Sequence, residues 1–141
     1  MITFVIAGEV KGKQRPRMTR GGHVYTPTQT REAEAMIAKL GREAMGDRPL
    51  LDGAVTLGIT VYTAPPVSAS KAARERMLSG KEHPTKKPDL DNIVKLISDA
   101  LNGVVYHDDR QIVMLWIIKE YAETARTIVK IGTLDTHKGD L

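Results

Sequence analysis

Apolar and polar residues alternate along this chain in two rhythms. Val55, Leu57, Ile59 and Val61 are separated by Thr56, Gly58, Thr60 and Tyr62, a period of two that predicts a β-strand. Ile2–Ala7 is a short β-branched run and reads as a strand ending at Gly8. Ile112–Ile118 is continuously apolar and reads as a buried strand, with Arg126–Leu134 as its hairpin partner across Ala122-Glu123-Thr124. The helical rhythm appears in Ala33, Met36, Ile37, Leu40 and Ala44, which share one face after a cap at Thr28 or Thr30 and stop at Gly46 and Pro49. It recurs in Ile93, Leu96, Ile97, Ala100 and Leu101, a stripe that predicts a helix from Asp89 to Asn102 closed by Gly103. Ala69, Ala72, Ala73 and Met77 predict a shorter helix within Ser68–Leu78.

Between these elements, residues 9–27 are polar and basic, with Gly21-Gly22, Pro16 and Pro27. They form a long loop with room for a short hairpin through His23-Val24-Tyr25, and loops of this length usually carry function. Residues 79–88 form a second loop, and Asp135–Leu141 a polar tail expected to fray. The resulting order is β-loop-α-β-α-α-β-β. It predicts an α+β single domain over residues 1–134, with a mixed sheet packed by helices, followed by a tail over 135–141.

Composition narrows the class. The 141 residues are 41% hydrophobic and 27% charged, which is globular rather than disordered. The absence of cysteine excludes thiol chemistry, disulfides and Cys-ligated metal. No apolar run approaches the ~18 residues of a membrane span, and Met1-Ile2-Thr3 lacks a secretory head. A cytoplasmic protein with neither membrane nor small-molecule cofactor is expected.

The net charge of +4 conceals an uneven layout. Residues 11–20 carry five basic residues and no acid, and residues 66–88 carry six basic against two acidic. Residues 89–109 reverse the sign, with Asp89, Asp91, Asp99, Asp108 and Asp109 against Lys95. Basic segments favour a polyanionic partner, which clustered carboxylates would repel unless a cation screens them. Asp89 at a helix start has an ordinary explanation as a cap, but that leaves Asp91 and the Asp108-Asp109 pair unexplained. Convergent carboxylates without Cys or a His set suit a hard cation such as Mg²⁺, with Mn²⁺ as a substitute. Such a site requires Asp109 to approach Asp89 and Asp91. Lys95, four residues after Asp91, is either an i,i+4 ion-pair partner or an ammonium directed at a phosphate. His107 is expected at the surface or behind the acidic residues.

Pro88-Asp89-Leu90-Asp91-Asn92-Ile93-Val94-Lys95, then Asp99 to Val105, then Asp108-Asp109-Arg110-Gln111-Ile112 resembles the signature of the RusA family. These are small Holliday-junction resolvases common in phages and prophages. The Gly-Lys-Gln-Arg-Pro-Arg segment at 12–17 and Val24-Tyr25-Thr26-Pro27 strengthen the resemblance. It implies a homodimer that resolves four-way junctions by paired nicks during DNA recombination and repair. In that reading Asp89, Asp91 and Asp109 are catalytic and bind Mg²⁺, Asp108 is a possible ligand, and Lys95 is the functional lysine. Lys13, Arg15, Arg17, Arg20, Lys86 and Lys87 would hold branched DNA by its phosphates. The alternative is a non-catalytic basic DNA-binding dimer in which the aspartates are caps and ion-pair partners.

Overall fold

The computed structural model describes residues 1–25 and 27–134. Its elements are β1 (Ile2–Ala7), β2 (Arg17–Met18), β3 (Val24–Tyr25), α1 (Thr28–Met45), β4 (Val55–Thr63), α2 (Lys71–Leu78), α3 (Leu90–Ala100), β5 (Ile112–Tyr121) and β6 (Arg126–Thr133). A single 3₁₀ turn over Asp109–Gln111 precedes β5. This is the expected α+β domain, with β2 and β3 forming a small antiparallel ribbon inside the long basic loop. The predicted tail at 135–141 lies outside the described residues.

The main sheet has the order β1-β6-β4-β5. β4 and β5 are parallel, while β6 is antiparallel to both β1 and β4. This corrects the expected β5–β6 hairpin: β4 lies between those two strands. The short link between them crosses the end of β4, where the Ala122 N–H donates to the Thr63 carbonyl at 3.0 Å. β6 suits the central place because Thr127, Val129 and Ile131 are fully buried while both of its edges are paired.

β5 is a strand as expected, but it is not buried. It forms one edge of the sheet, and Val113, Leu115 and Trp116 are 60%, 46% and 44% exposed. A continuous apolar run therefore lies open here, where the sequence reading placed it in the core. Trp116 stacks over Gly58 of β4, and a Cβ at Gly58 would collide with the indole ring.

α1 and α3 pack against each other, and the core joins them to the sheet. The α3 stripe of Ile93, Leu96, Ile97, Ala100 and Leu101 is buried as its spacing requires. Gly41 of α1 permits the close approach, because a Cβ there would stand 2.7 Å from Leu101 Cδ2. Neither Thr28 nor Thr30 caps α1. Pro27 occupies the cap position, and the buried Thr30 hydroxyl accepts the Gln14 N–H at 3.2 Å, tying down the basic loop. Met36 is exposed, so the buried face of α1 is narrower than the sequence pattern. α2 is capped by Ser70, whose hydroxyl accepts the Ala73 N–H at 3.1 Å, but it buries no residue. Among the described residues, no helix is long and apolar enough to cross a membrane.

Candidate active site

The acidic residues gather at the two ends of α3. Asp89 occupies the N-cap position with extended backbone angles, but its side chain makes no capping hydrogen bond. Asp91 sits in the first turn, and both residues are exposed. The carboxylate of Asp89 is therefore not used to hold the helix start. Lys95 is exposed one turn further on, and the ion pairs among the described residues do not include it. The simple i,i+4 reading of Lys95 with Asp91 is thus not realised.

The basic loop lies against this helix end. The Lys13 N–H donates to the Asn92 carbonyl at 3.1 Å. A Cβ on Gly12 would come 2.7 Å from Asn92 Cβ, so glycine is what allows the loop to pass so close. Together with Lys87, Pro88 and Asp89, residues 9–14 line a cleft of about 460 Å³. Arg15, Arg17, Arg20, Lys86 and Lys87 are all exposed around it or along the adjoining loop and ribbon. Lys13 differs from them: its ammonium points inward and bonds Asp99 at 2.6 Å and Glu34 at 3.1 Å. Burial works against its charge, but the bonds to Asp99 and Glu34 outweigh this and raise its pKa. Its ammonium is thus engaged within the chain, unlike those of the exposed basic residues around it.

At the other end of α3, Asp99 meets the Asp108-Asp109 turn. The Asp108 side chain accepts the Arg110 N–H at 2.9 Å, and this bond first, then its contact with Asp109, holds its carboxyl below the usual range. Asp109 moves the opposite way: burial first, then Asp108 and Asp99, push its carboxyl up. Beneath them, the buried Tyr106 hydroxyl donates to the Ser98 carbonyl at 2.6 Å. Burial, followed by the three nearby aspartates, raises that phenol's pKa. His107 is exposed and contacts Asp52 at 2.9 Å, in keeping with a surface place.

Two residues to which the sequence assigned no role hold these segments. The Gln111 amide makes four bonds: its oxygen accepts the N–H groups of His107 and Asp108 at 2.8 and 3.0 Å, and its nitrogen donates to the carbonyls of Leu51 and Gly53 at 2.9 and 3.0 Å. That is the full capacity of a carboxamide, and it fastens the Asp108-Asp109 turn to the chain entering β4. Lys119 of β5 donates from its ammonium to the carbonyls of Lys86 at 2.7 Å and Pro88 at 3.1 Å. The Asp-Asp-x-Gln spacing marks Gln111 in the sequence, whereas no local pattern marks Lys119.

The structure does not bring Asp109 to Asp89 and Asp91 within one chain. α3 has eleven residues, about 16 Å at the helical rise, and the charged groups acting on Asp109 are Asp108 and Asp99. Among the described residues, no three His, Asp or Glu side chains converge closely enough to hold a metal ion. The donor chemistry nonetheless suits a hard cation. All the groups are carboxylates, and burial followed by the crowding of Asp108 and Asp99 raises Asp109, a cost to its charged form that a divalent charge would offset. One chain supplies part of such a set at each end of α3.

An α+β chain with unengaged helix-entry carboxylates beside a basic loop has the makings of a phosphodiester-cutting enzyme. The endodeoxyribonuclease RusA family model matches residues 7–132, and the chain belongs to this family of Holliday-junction nucleases. Among individual proteins, it is 36% identical over 135 residues to the uncharacterized protein YqaN of Bacillus subtilis (strain 168), a match covering 92% of this chain and 94% of that protein.

Proposed function

We propose that this protein is a cytoplasmic, Mg²⁺-dependent endonuclease that resolves four-way DNA junctions by paired nicks, acting as a homodimer. The observation that carries the reading is the exposed Asp89 carboxylate, which makes no capping bond and lines the cleft formed with the basic loop, with the exposed Asp91 following in the first turn of α3. Asp89, Asp91 and Asp109 would hold the ion, with Asp108 able to assist. When bound, Mg²⁺ lowers the pKa of a water and polarises the phosphodiester. Lys95 offsets charge that develops on the phosphate. Arg15, Arg17, Arg20, Lys86 and Lys87 grip backbone phosphates, which position the duplex without reading sequence.

The division of the carboxylates between the two ends of α3 supports the homodimer. β5 is an edge strand with exposed apolar side chains, the kind of edge that pairs with a second chain. Asp109 lies at its start, and Lys119, which holds the loop before Asp89, lies near its end. Two copies meeting antiparallel along β5 lay the start of one strand against the end of the other. Asp109 of one copy then approaches Asp89 and Asp91 of the second, and the two-fold axis yields two equal sites.

The test uses a synthetic four-way junction with labelled strands. Paired nicks on opposed strands in Mg²⁺, and none in excess chelator, are expected. Junctions left intact under every divalent ion, or cut equally well in chelator, would overturn the reading.

A further inference from the structure

We propose that Lys119 is a positioning residue for the nuclease reaction: from β5 it clamps the Lys86 and Pro88 carbonyls and thereby sets the direction of the Asp89 carboxylate. The inference rests on the reading of Asp89 as part of the nuclease site. Two of the three ammonium N–H groups are committed to main-chain oxygens, at 2.7 and 3.1 Å. Among the described residues, Lys119 has no acidic partner within ion-pair distance. A charged donor spent on two neutral carbonyls is the stronger form of hydrogen bond, and here both acceptors lie in the loop leading to Asp89.

The clamp has a geometric consequence. The Pro88 carbonyl belongs to the planar peptide that ends at the Asp89 nitrogen. With that plane held, Asp89 keeps only its own rotations, and ligand carboxylates must be placed within about 0.5 Å to serve an ion well. Pro84 anchors the loop in the protein and Pro88 is half-buried, but Thr85, Lys86, Lys87 and Asp89 are exposed, so the Lys119 bonds hold the backbone of the stretch that enters Asp89. Lys119 therefore does for Asp89 what Gln111 does for the Asp108-Asp109 turn: both act on backbone groups, and both stand on or beside β5. Loss of the clamp should loosen this loop locally and leave the core intact.

Lys119→Met removes the donors and keeps the stem; Lys119→Arg keeps donors. Five measurements apply to each: thermal midpoint, backbone amide relaxation at Lys87 and Asp89, junction affinity in chelator, Mn²⁺-induced broadening of the Asp89 and Asp91 amides, and nicking of the junction. Lys119→Met is expected to lower the backbone order parameters at Lys87 and Asp89 alone. The metal concentration for half-maximal broadening and for nicking should rise about ten- to a hundredfold, the usual cost of losing a residue that orients a ligand. Junction affinity and thermal midpoint should be unchanged, and Lys119→Arg should recover most of the loss. Unchanged order parameters and metal response in Lys119→Met would overturn the clamp. So would a loss of junction affinity that accounts for the whole loss of nicking, since Lys119 would then be a phosphate contact. Intact junctions with the unaltered protein would instead overturn the nuclease reading, while the relaxation and broadening measurements would still decide the clamp.

Discussion

The two ends of α3 hold aspartates in opposite conditions. At the N-terminal end, Asp89 and Asp91 are exposed, and the Asp89 side chain makes no capping bond. At the C-terminal end, Asp99 is bonded to Lys13, Asp108 caps the turn that follows, and Asp109 is crowded by both. Carboxylates at the first end are free for a ligand and do little for the fold. Those at the second end are built into it, and they enter any metal site with structural obligations already in place.

The difference predicts unequal mutational costs. The largest effect is on cutting. Asp89→Asn is expected to abolish junction cleavage while leaving the thermal midpoint and junction binding intact, which cleavage and melting assays on one preparation will show. Unfolding of that variant would mean that the N-terminal end is structural after all, and the contrast would fail. Next comes Tyr106→Phe, which leaves the buried Ser98 carbonyl without its 2.6 Å donor. A loss of about 1–3 kcal/mol in denaturant unfolding is expected, as for other buried acceptors left unpaired.

The smallest effects separate the two neighbours, and their signs oppose. Asp109 has a raised pKa in the fold. Its contribution is most favourable below the unfolded value of about 3.9 and declines as pH rises through the folded value. Asp109→Asn should therefore raise the thermal midpoint at neutral pH without divalent ions, even though it removes cutting. Asp108 has a lowered pKa. Its contribution is present above the unfolded value and lost as pH falls through the folded one, so Asp108→Asn should lower the midpoint. Melting curves from pH 3 to 8 in chelator, a span chosen to bracket the ordinary carboxylate range, will check both signs. Added Mg²⁺ should favour the unaltered protein over Asp109→Asn.

Much of the fold was legible because periodicity survives burial. The α3 stripe and the alternation of β4 each became core residues, and the same helical reading placed Asp89 at the start of α3 and Asp91 and Lys95 on it. The partner of β6 was not legible. Adjacency in sequence favours a hairpin with β5, and nothing in Arg126–Thr133 marks it as the strand that separates β1 from β4. The exposure of β5 was hidden for a related reason: a continuous apolar run looks the same in a buried strand and at an open edge. The Lys13–Asp99 bond joins positions 86 residues apart, beyond the reach of any local pattern. Lys119 escaped notice because backbone carbonyls, its partners, carry no sequence signature.

The central position of β6 governs when the domain can form during synthesis. β1 and β4 leave the ribosome first, but they have no contact with each other until residues 126–133 arrive between them. Until then each presents unpaired backbone and apolar side chains, and the link from β1 to β6 spans nearly the whole described chain. Pairing at such separation forms slowly, so the sheet closes only once its last strand has been made, and a chain interrupted before Arg126 has no three-strand core to fall back on.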